Sequence, residues 1–151
     1  MDHMLPRSWI LLLICTVSAV FAASCGIPNL DDPECAQARD NVRQFYSFHF
    51  GNDMKPTAEN LKLRESYLTP ALYNVVSSRL EQDAATGHDY FTDSTDYPRT
   101  FKIGVCTVES PEKVDFQIQI YWRDERGTVQ KDLHVDAVKT PDRWLIDKVT
   151  P

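Results

Sequence analysis

Apolar residues recur at helical spacing in the first half of the chain and at alternate positions in the second half. Start and stop signals divide the first half into three predicted helices, over residues 32–51, 57–66 and 69–87. Asp32 is the expected N-cap of the first helix, and Pro33 its first residue. Two apolar faces are predicted, on the first and third helices: Ala38, Val42, Phe45, Tyr46 and His49, and Leu72, Val75, Val76 and Leu80.

The second half alternates with period 2, which predicts β-strands. In the first strand, Phe101, Ile103 and Val105 alternate with Lys102, Gly104 and Cys106. Lys131 interrupts the third strand, where its stem is expected to extend outward. The other predicted inward positions form a hydrocarbon wall: Val114, Phe116, Ile118, Ile120, Trp122, Leu133 and Val135. Residues 33–151 therefore predict one α+β domain, with amino-terminal helices packed on a curved antiparallel sheet of about four strands.

Three segments carry a resemblance to a known family: LTPALYNVV (Leu68 to Val76), DYPRTFKIG (Asp96 to Gly104) and DRWLIDKV (Asp142 to Val149). With this layout, the chain resembles the small exported proteins grouped as DUF3828, within the NTF2-like cone fold. The resemblance covers about residues 36 to 150. It implies a fold rather than an activity, because NTF2-like families include enzymes, binding modules and immunity or scaffold proteins.

The amino terminus has the pattern of a secretory signal sequence. An uncharged apolar run extends from Trp9 to Phe21, preceded by Arg7 and followed by the small residues 22–24. The run has the length of a signal core and is too short to span a bilayer comfortably. We predict that residues 1–24 are removed and that residues 25–32 form a tether. An uncleaved amino-terminal anchor is the alternative, and it also predicts export.

Cys25 is the predicted site of lipidation. The segment Ala22 to Cys25 resembles a bacterial lipobox, with Ala22 where Leu is usual, and ordinary cleavage after Ala23 is the competing interpretation. Removal of the signal takes Cys15 with it and leaves Cys25, Cys35 and Cys106. An odd number of cysteines in an exported protein requires an explanation. If Cys25 carries lipid, Cys35 and Cys106 remain as a disulfide pair. Otherwise Cys25 and Cys35 form a short loop, and Cys106 is a buried thiol.

Charge and motifs exclude several functions. The formal net charge is −6 and no basic stripe is present, which argues against nucleic-acid binding. The sequence has no glycine-rich phosphate loop, no C-x-x-C pair, no H-E-x-x-H and no G-x-S-x-G. No cofactor, metal site or catalytic set is predicted.

Two histidines are candidate ligands or acid–base groups. His134 shares a strand face with Asp132 and Asp136, but the strand pattern places this face outside the core. His49 lies on the apolar stripe of the first helix, where it could equally be a structural residue that interacts with the helix dipole.

An acidic loop follows the third predicted helix. Its carboxylates, Asp89, Asp93 and Asp96, could hold calcium, but their spacing differs from an EF-hand and a solvated loop is favoured. Tyr90, Phe91 and Tyr97 either close one end of the fold or contact a partner.

The leading hypothesis is a non-enzymatic binding or interaction protein of the cell envelope, anchored to the membrane through lipid on Cys25 and facing the periplasm or the outside. Its expected ligand is a small apolar molecule or another envelope protein. One alternative is an NTF2-like enzyme that uses His49 or His134 for general acid–base chemistry. The other is an immunity or adaptor protein that acts through its acidic surface.

Overall fold

The computed structural model describes residues 31–151; the predicted signal segment and Cys25 lie outside them. Within this range three α-helices precede four β-strands, which confirms the predicted α+β arrangement. None of these helices is long and apolar enough to cross a membrane. The elements are α1 (Pro33–Gly51), α2 (Ala58–Arg64), a 3-10 turn (Glu65–Tyr67), α3 (Pro70–Thr86), β1 (Thr100–Ser110), β2 (Lys113–Asp124), β3 (Gly127–Lys139) and β4 (Trp144–Thr150).

The helices begin and end close to the predicted signals. Thr57 and Thr69 each accept a hydrogen bond from the amide three residues later, at 3.1 Å in both cases. Asp32 occupies the N-cap position of α1, but its side chain makes no capping hydrogen bond. Helix α3 ends at Gly87, whose φ of 72° suits a residue without a Cβ.

The four strands form one open antiparallel sheet in the order β1-β2-β3-β4. Its inner face packs against α1, whose residues Ala38, Val42, Phe45 and Tyr46 are fully buried. The predicted hydrocarbon wall is confirmed, although Trp122 is only partly buried. Residues with no exposed surface on this wall are Val114, Phe116, Ile118, Ile120, Leu133 and Val135.

A β-bulge in β1 overturns the predicted alternation of that strand. Ile103 pairs with Ile118 and Cys106 pairs with Phe116, so β1 has one more residue than β2 over this stretch. From that point onward, the extra residue reverses which side chains of the strand face the core and which face outward. Val105 is therefore 68% exposed, and Cys106 packs against the core.

Cys35, in the first turn of α1, forms a disulfide with Cys106. This is the first of the two predicted pairings, and it contradicts a Cys25–Cys35 loop. The bulge accounts for it, because strict alternation would direct the Cys106 side chain away from α1. Gly104 permits the bulge, since a Cβ at this position would lie 3.1 Å from the Gln117 carbonyl oxygen.

The helix pair α2–α3 is joined to the edge strand β4. Leu68 forms a bridge with Ile146, and the Thr69 hydroxyl donates a hydrogen bond to the Asp147 carboxylate at 2.8 Å. This placement leaves Val75 48% exposed, so the prediction of Val75 on the buried face of α3 is wrong. Leu72 and Val76 are buried as expected.

We expect the disulfide to stabilise the domain by about 4 kcal/mol, because it closes a loop of 71 residues. Urea denaturation with and without a reductant measures this difference as a shift in midpoint. The double variant Cys35→Ala/Cys106→Ala is the control, since its midpoint should not respond to the reductant. An unchanged midpoint for the reduced wild type would contradict the expectation.

Candidate functional site

Three charged or polar side chains from three segments meet in the interior. His49 lies in the last turn of α1, Arg64 ends α2, and Asp89 lies in the loop between α3 and β1. Arg64 Nε donates a hydrogen bond to His49 Nδ1 at 2.7 Å. His49 Nε2 lies 2.9 Å from Asp89 Oδ2. All three residues are at least 97% buried.

The hydrogen bonds assign the imidazole proton. His49 Nδ1 accepts from a guanidinium, which has only donors, so the ring proton is on Nε2 and is donated to Asp89. The ring also stacks on Phe45, with centroids 5.6 Å apart. Both ring nitrogens are therefore engaged by protein groups.

Asp89 is held as a buried carboxylate rather than in a solvated loop, which corrects the favoured interpretation of that segment. Besides His49, it accepts a hydrogen bond from the Thr92 hydroxyl at 2.6 Å and one from the Phe91 amide at 3.4 Å. Burial by itself would raise the pKa of the Asp89 carboxyl. The interaction with His49 and the hydrogen bonds from Thr92 and Phe91 outweigh burial and lower this pKa below its ordinary value.

Arg64 also connects the network to the chain that precedes α2. Its two terminal nitrogens donate to the carbonyl oxygens of Asn60 and Asp53, at 2.6 and 2.8 Å. Burial lowers the pKa of the guanidinium, and the charges of Asp89 and Asp53 act in the opposite direction. Because its donors are divided among fixed protein acceptors, Arg64 joins α2 to the end of α1 and to the loop between these two helices.

A small pocket lies beside this network. It encloses about 300 Å³ when space open to solvent is counted, and its closed part has room for about one water molecule. The walls come from α2 with its preceding loop, from α3, and from the loop after α3. They include His49, Lys55, Asn60, Arg64, Leu80, Asp83, Asp89 and Tyr90.

A second group of interacting polar side chains consists of His88, Asp93 and Lys131. His88 Nε2 is 3.0 Å from Asp93 Oδ1, and Lys131 Nζ contacts the other carboxylate oxygen of Asp93. The Lys131 side chain therefore ends at the carboxylate of Asp93 in the acidic loop. Burial would raise the pKa of Asp93, but hydrogen bonds from Lys131 and His88 lower it.

These contacts bear on the calcium interpretation of the loop. Asp89 and Asp93 already accept hydrogen bonds from protein donors, so their oxygens face histidine, threonine and lysine groups. Within residues 31–151, no group of three or more His, Cys, Asp or Glu side chains is arranged to hold a metal ion.

His134 lies on the outer face of the sheet, as its strand pattern indicated. Its nearest carboxylate is Asp115 on β2, with Nδ1 and Oδ1 2.9 Å apart, rather than Asp132 or Asp136 on its own strand. Asp132 instead accepts a hydrogen bond from Gln117. Since the His134 side chain is 54% exposed, this pair belongs to a solvated surface.

The sequence did not identify Arg64 or Thr92 as members of a site. Neither residue belongs to a motif, and the signal that could have found Arg64 is weak: an arginine at the end of a short helix that otherwise buries Leu61. Their role arises only when α1, α2 and the loop come together.

The sequence matches no protein-family model and no curated protein. The structure is similar to a crystal structure, at 2.10 Å resolution, of a protein of unknown function from Bacteroides thetaiotaomicron VPI-5482. The TM-score is 0.52 at 16% identity, and the match covers 94% of this chain and 99% of that chain. A designed β-sheet protein solved by NMR matches with a TM-score of 0.35 at 15% identity, over 78% and 82% of the two chains. At these identities the first likeness shows a shared fold alone, and the second carries no argument.

We expect Asp89→Asn to destabilise the fold by about 3 kcal/mol at pH 7, because it leaves Arg64 and His49 without their buried anion. Asp96→Asn, in the same loop but exposed, should change stability by less than about 0.5 kcal/mol. Urea denaturation of both variants measures these differences.

The variants Asp89→Asn and Asp96→Asn also test the direction of the pKa shift of Asp89. A carboxyl whose pKa is lowered by folding contributes stability above its unfolded pKa of about 4, and this contribution is lost as the pH falls further. Wild type and Asp96→Asn should therefore lose more stability than Asp89→Asn between pH 5 and the acid transition. Equal losses in all three proteins would contradict the assigned direction of the pKa shift.

Proposed function

We propose that this chain is an exported, lipid-anchored binding protein of the cell envelope, which captures a partner protein through the end of the fold that carries the pocket. It performs no reaction of its own. The disulfide supports export and lipid attachment. The hydrogen bonds of the buried His49 side chain support a role in binding rather than catalysis.

The Cys35–Cys106 bond supports export. Disulfides persist in oxidising compartments and are rare in reducing ones. The bond lies between the first turn of α1 and the edge strand β1, so it closes most of the domain into one loop. A structural bond of this kind agrees with the signal pattern of residues 1–24.

The same bond supports lipid attachment at Cys25. Since Cys35 and Cys106 pair with each other, neither is available to Cys25. Lipid attachment at the end of the lipobox-like segment then accounts for Cys25, the one cysteine outside the signal that the disulfide leaves over.

The histidine geometry favours binding over catalysis. An acid–base enzyme of this fold would need a histidine or carboxylate directed at a substrate, whereas His49 donates to Asp89 and accepts from Arg64. His134 lies on an exposed sheet face, with no enclosed site around it.

The exposed apolar side chains support the proposed position of the partner. The inner face of the sheet is filled, so its residues offer no surface to a ligand. Among residues 31–151, the exposed large apolar side chains are Leu63, Val75, Tyr97 and Val105. The first three lie on α2, α3 and the loop after α3, the same elements that form the pocket. Apolar and aromatic groups with a polar rim are typical of protein-binding surfaces.

We expect wild-type protein extracted from membranes to carry diacylglycerol on Cys25 as its first residue. Intact-mass analysis measures this modification, and Cys25→Ser should yield an unmodified protein in the soluble exported fraction. Cys106→Ser is the matched control, because it removes a cysteine but should keep the lipid. Unmodified wild type in the soluble exported fraction would contradict the anchor.

Site-specific photo-crosslinking in living cells tests the binding surface. A photoreactive residue at Lys55, on the pocket, is expected to form a protein adduct. The same residue at Lys139, an exposed lysine at the opposite end of the sheet from the pocket, is the matched control and should form none. An adduct at Lys139 alone, or adducts at neither position, would contradict the proposal.

A further inference from the structure

We infer that the anchored domain is oriented on the membrane: the β1–β2 and β3–β4 turns face the lipid bilayer, and the pocket faces away from it. The inference rests on the proposed lipid at Cys25 and adds to it a surface of this chain with a lipid surface as its partner.

The start of the domain is tied to the sheet through Arg39. Asp31 forms an ion pair with Arg39 at 2.8 Å, and Arg39 donates a hydrogen bond to the Gly104 carbonyl oxygen at 3.2 Å. The Arg39 guanidinium also lies over the Phe116 ring, 5.3 Å from its centroid. The domain therefore begins at a defined place, next to the bulge of β1.

Contacts along α1 show which end of the sheet this is. Near the start of α1, Cys35 is bonded to Cys106 in the second half of β1. Near its end, Tyr46 and Phe50 contact Phe101 at the start of β1, with ring centroids 5.6 and 5.4 Å apart. Helix α1 and strand β1 thus run in opposite directions, and β1 ends on the tether side.

Two turns consequently lie on the tether side. The β1–β2 turn follows the end of β1, and the Lys139 amide donates a hydrogen bond to the Glu112 carbonyl oxygen at 2.8 Å, which places the β3–β4 turn beside it. The β2–β3 turn, which contains Glu125, lies at the opposite end of the sheet. The pocket is also distant from the tether, because His49 is in the last turn of α1.

Chain lengths exclude the reverse orientation. The five residues between Cys25 and Asp31 span at most about 20 Å when extended. Glu112 and Glu125 are separated by the whole of β2, which at 3.3 Å per residue is about 40 Å. A domain that contacted the bilayer through the Glu125 turn would hold Asp31 farther from the lipid than the tether reaches.

The two turns proposed to face the membrane carry no net charge. Residues 109–113 and 139–143 contain three acids (Glu109, Glu112, Asp142) and three bases (Lys113, Lys139, Arg143). Their sum is zero in a chain of net charge −6, so these turns are not repelled by anionic lipid. Since the limit set by the tether requires no electrostatic attraction, the orientation should also form on vesicles of neutral phosphatidylcholine.

The test uses two glutamates in matched hairpin turns. Full-chain Glu112→Cys and Glu125→Cys variants, lipidated in the exporting host, are labelled with one fluorophore and reconstituted in phosphatidylcholine vesicles that contain a headgroup nitroxide quencher. With about 40 Å between the turns, quenching at position 112 should exceed quenching at position 125 at least about twofold. Equal quenching, stronger quenching at position 125, or a label at position 112 that lipid does not quench would overturn the inference.

A longer tether supplies the control. Twenty Gly/Ser residues inserted between Leu30 and Asp31 give a flexible linker with a root-mean-square span of about 25–30 Å and a much greater maximum, so the difference between the two positions should fall. A difference that persists would show that some other contact orients the domain, and it would overturn the role of the tether. Intact mass is measured on every sample first. Absence of lipid there contradicts the proposed function, whereas lipidated protein with equal quenching contradicts the orientation alone.

Discussion

Burial of one face of α1 against the sheet is the interaction on which the rest of the structure depends. Ala38, Val42, Phe45 and Tyr46 have no exposed surface, and the sheet residues opposite them are equally buried. Apolar burial is not directional, so by itself it would let a helix slide or rotate on the wall. Specific bonds at each end of α1 prevent this movement. The Cys35–Cys106 disulfide holds the first turn, and polar contacts of His49 hold the last.

The buried Arg64–His49–Asp89 network joins three segments of the chain through hydrogen bonds. Removing a guanidinium and a carboxylate from water is costly, and fixed partners must compensate for it. Here the imidazole transmits a hydrogen bond between the two charges, while carbonyl oxygens and the Thr92 hydroxyl engage other polar atoms. A fully engaged network of this kind specifies one arrangement of helices and loop. It also leaves no uncommitted imidazole nitrogen for chemistry.

In the proposed arrangement, the lipid anchor and the pocket lie at opposite ends of the domain. The tether joins the domain where the disulfide holds α1 to β1, and α1 then leads away to the pocket. Two exposed apolar residues, Leu63 and Val75, lie on the pocket-forming helices α2 and α3. A binding surface placed this way remains open to a partner in the space beyond the membrane. Rigidity along α1 is what keeps the two ends of the domain apart.

The sequence by itself determined the α+β class, the three helices with their threonine caps and glycine stop, and the inner wall of β2 and β3, because local periodicity and end signals carry that information. Only the tertiary structure decided the features that depend on distant contacts. The β1 bulge reverses Val105 and Cys106, and nothing in a regular alternation announces an inserted residue. Asp89 looked solvated in a polar loop because its partners, His49 and Arg64, are 40 and 25 residues away in the chain. Burial of a charge is a property of the assembled fold, and the pattern of neighbouring residues does not encode it.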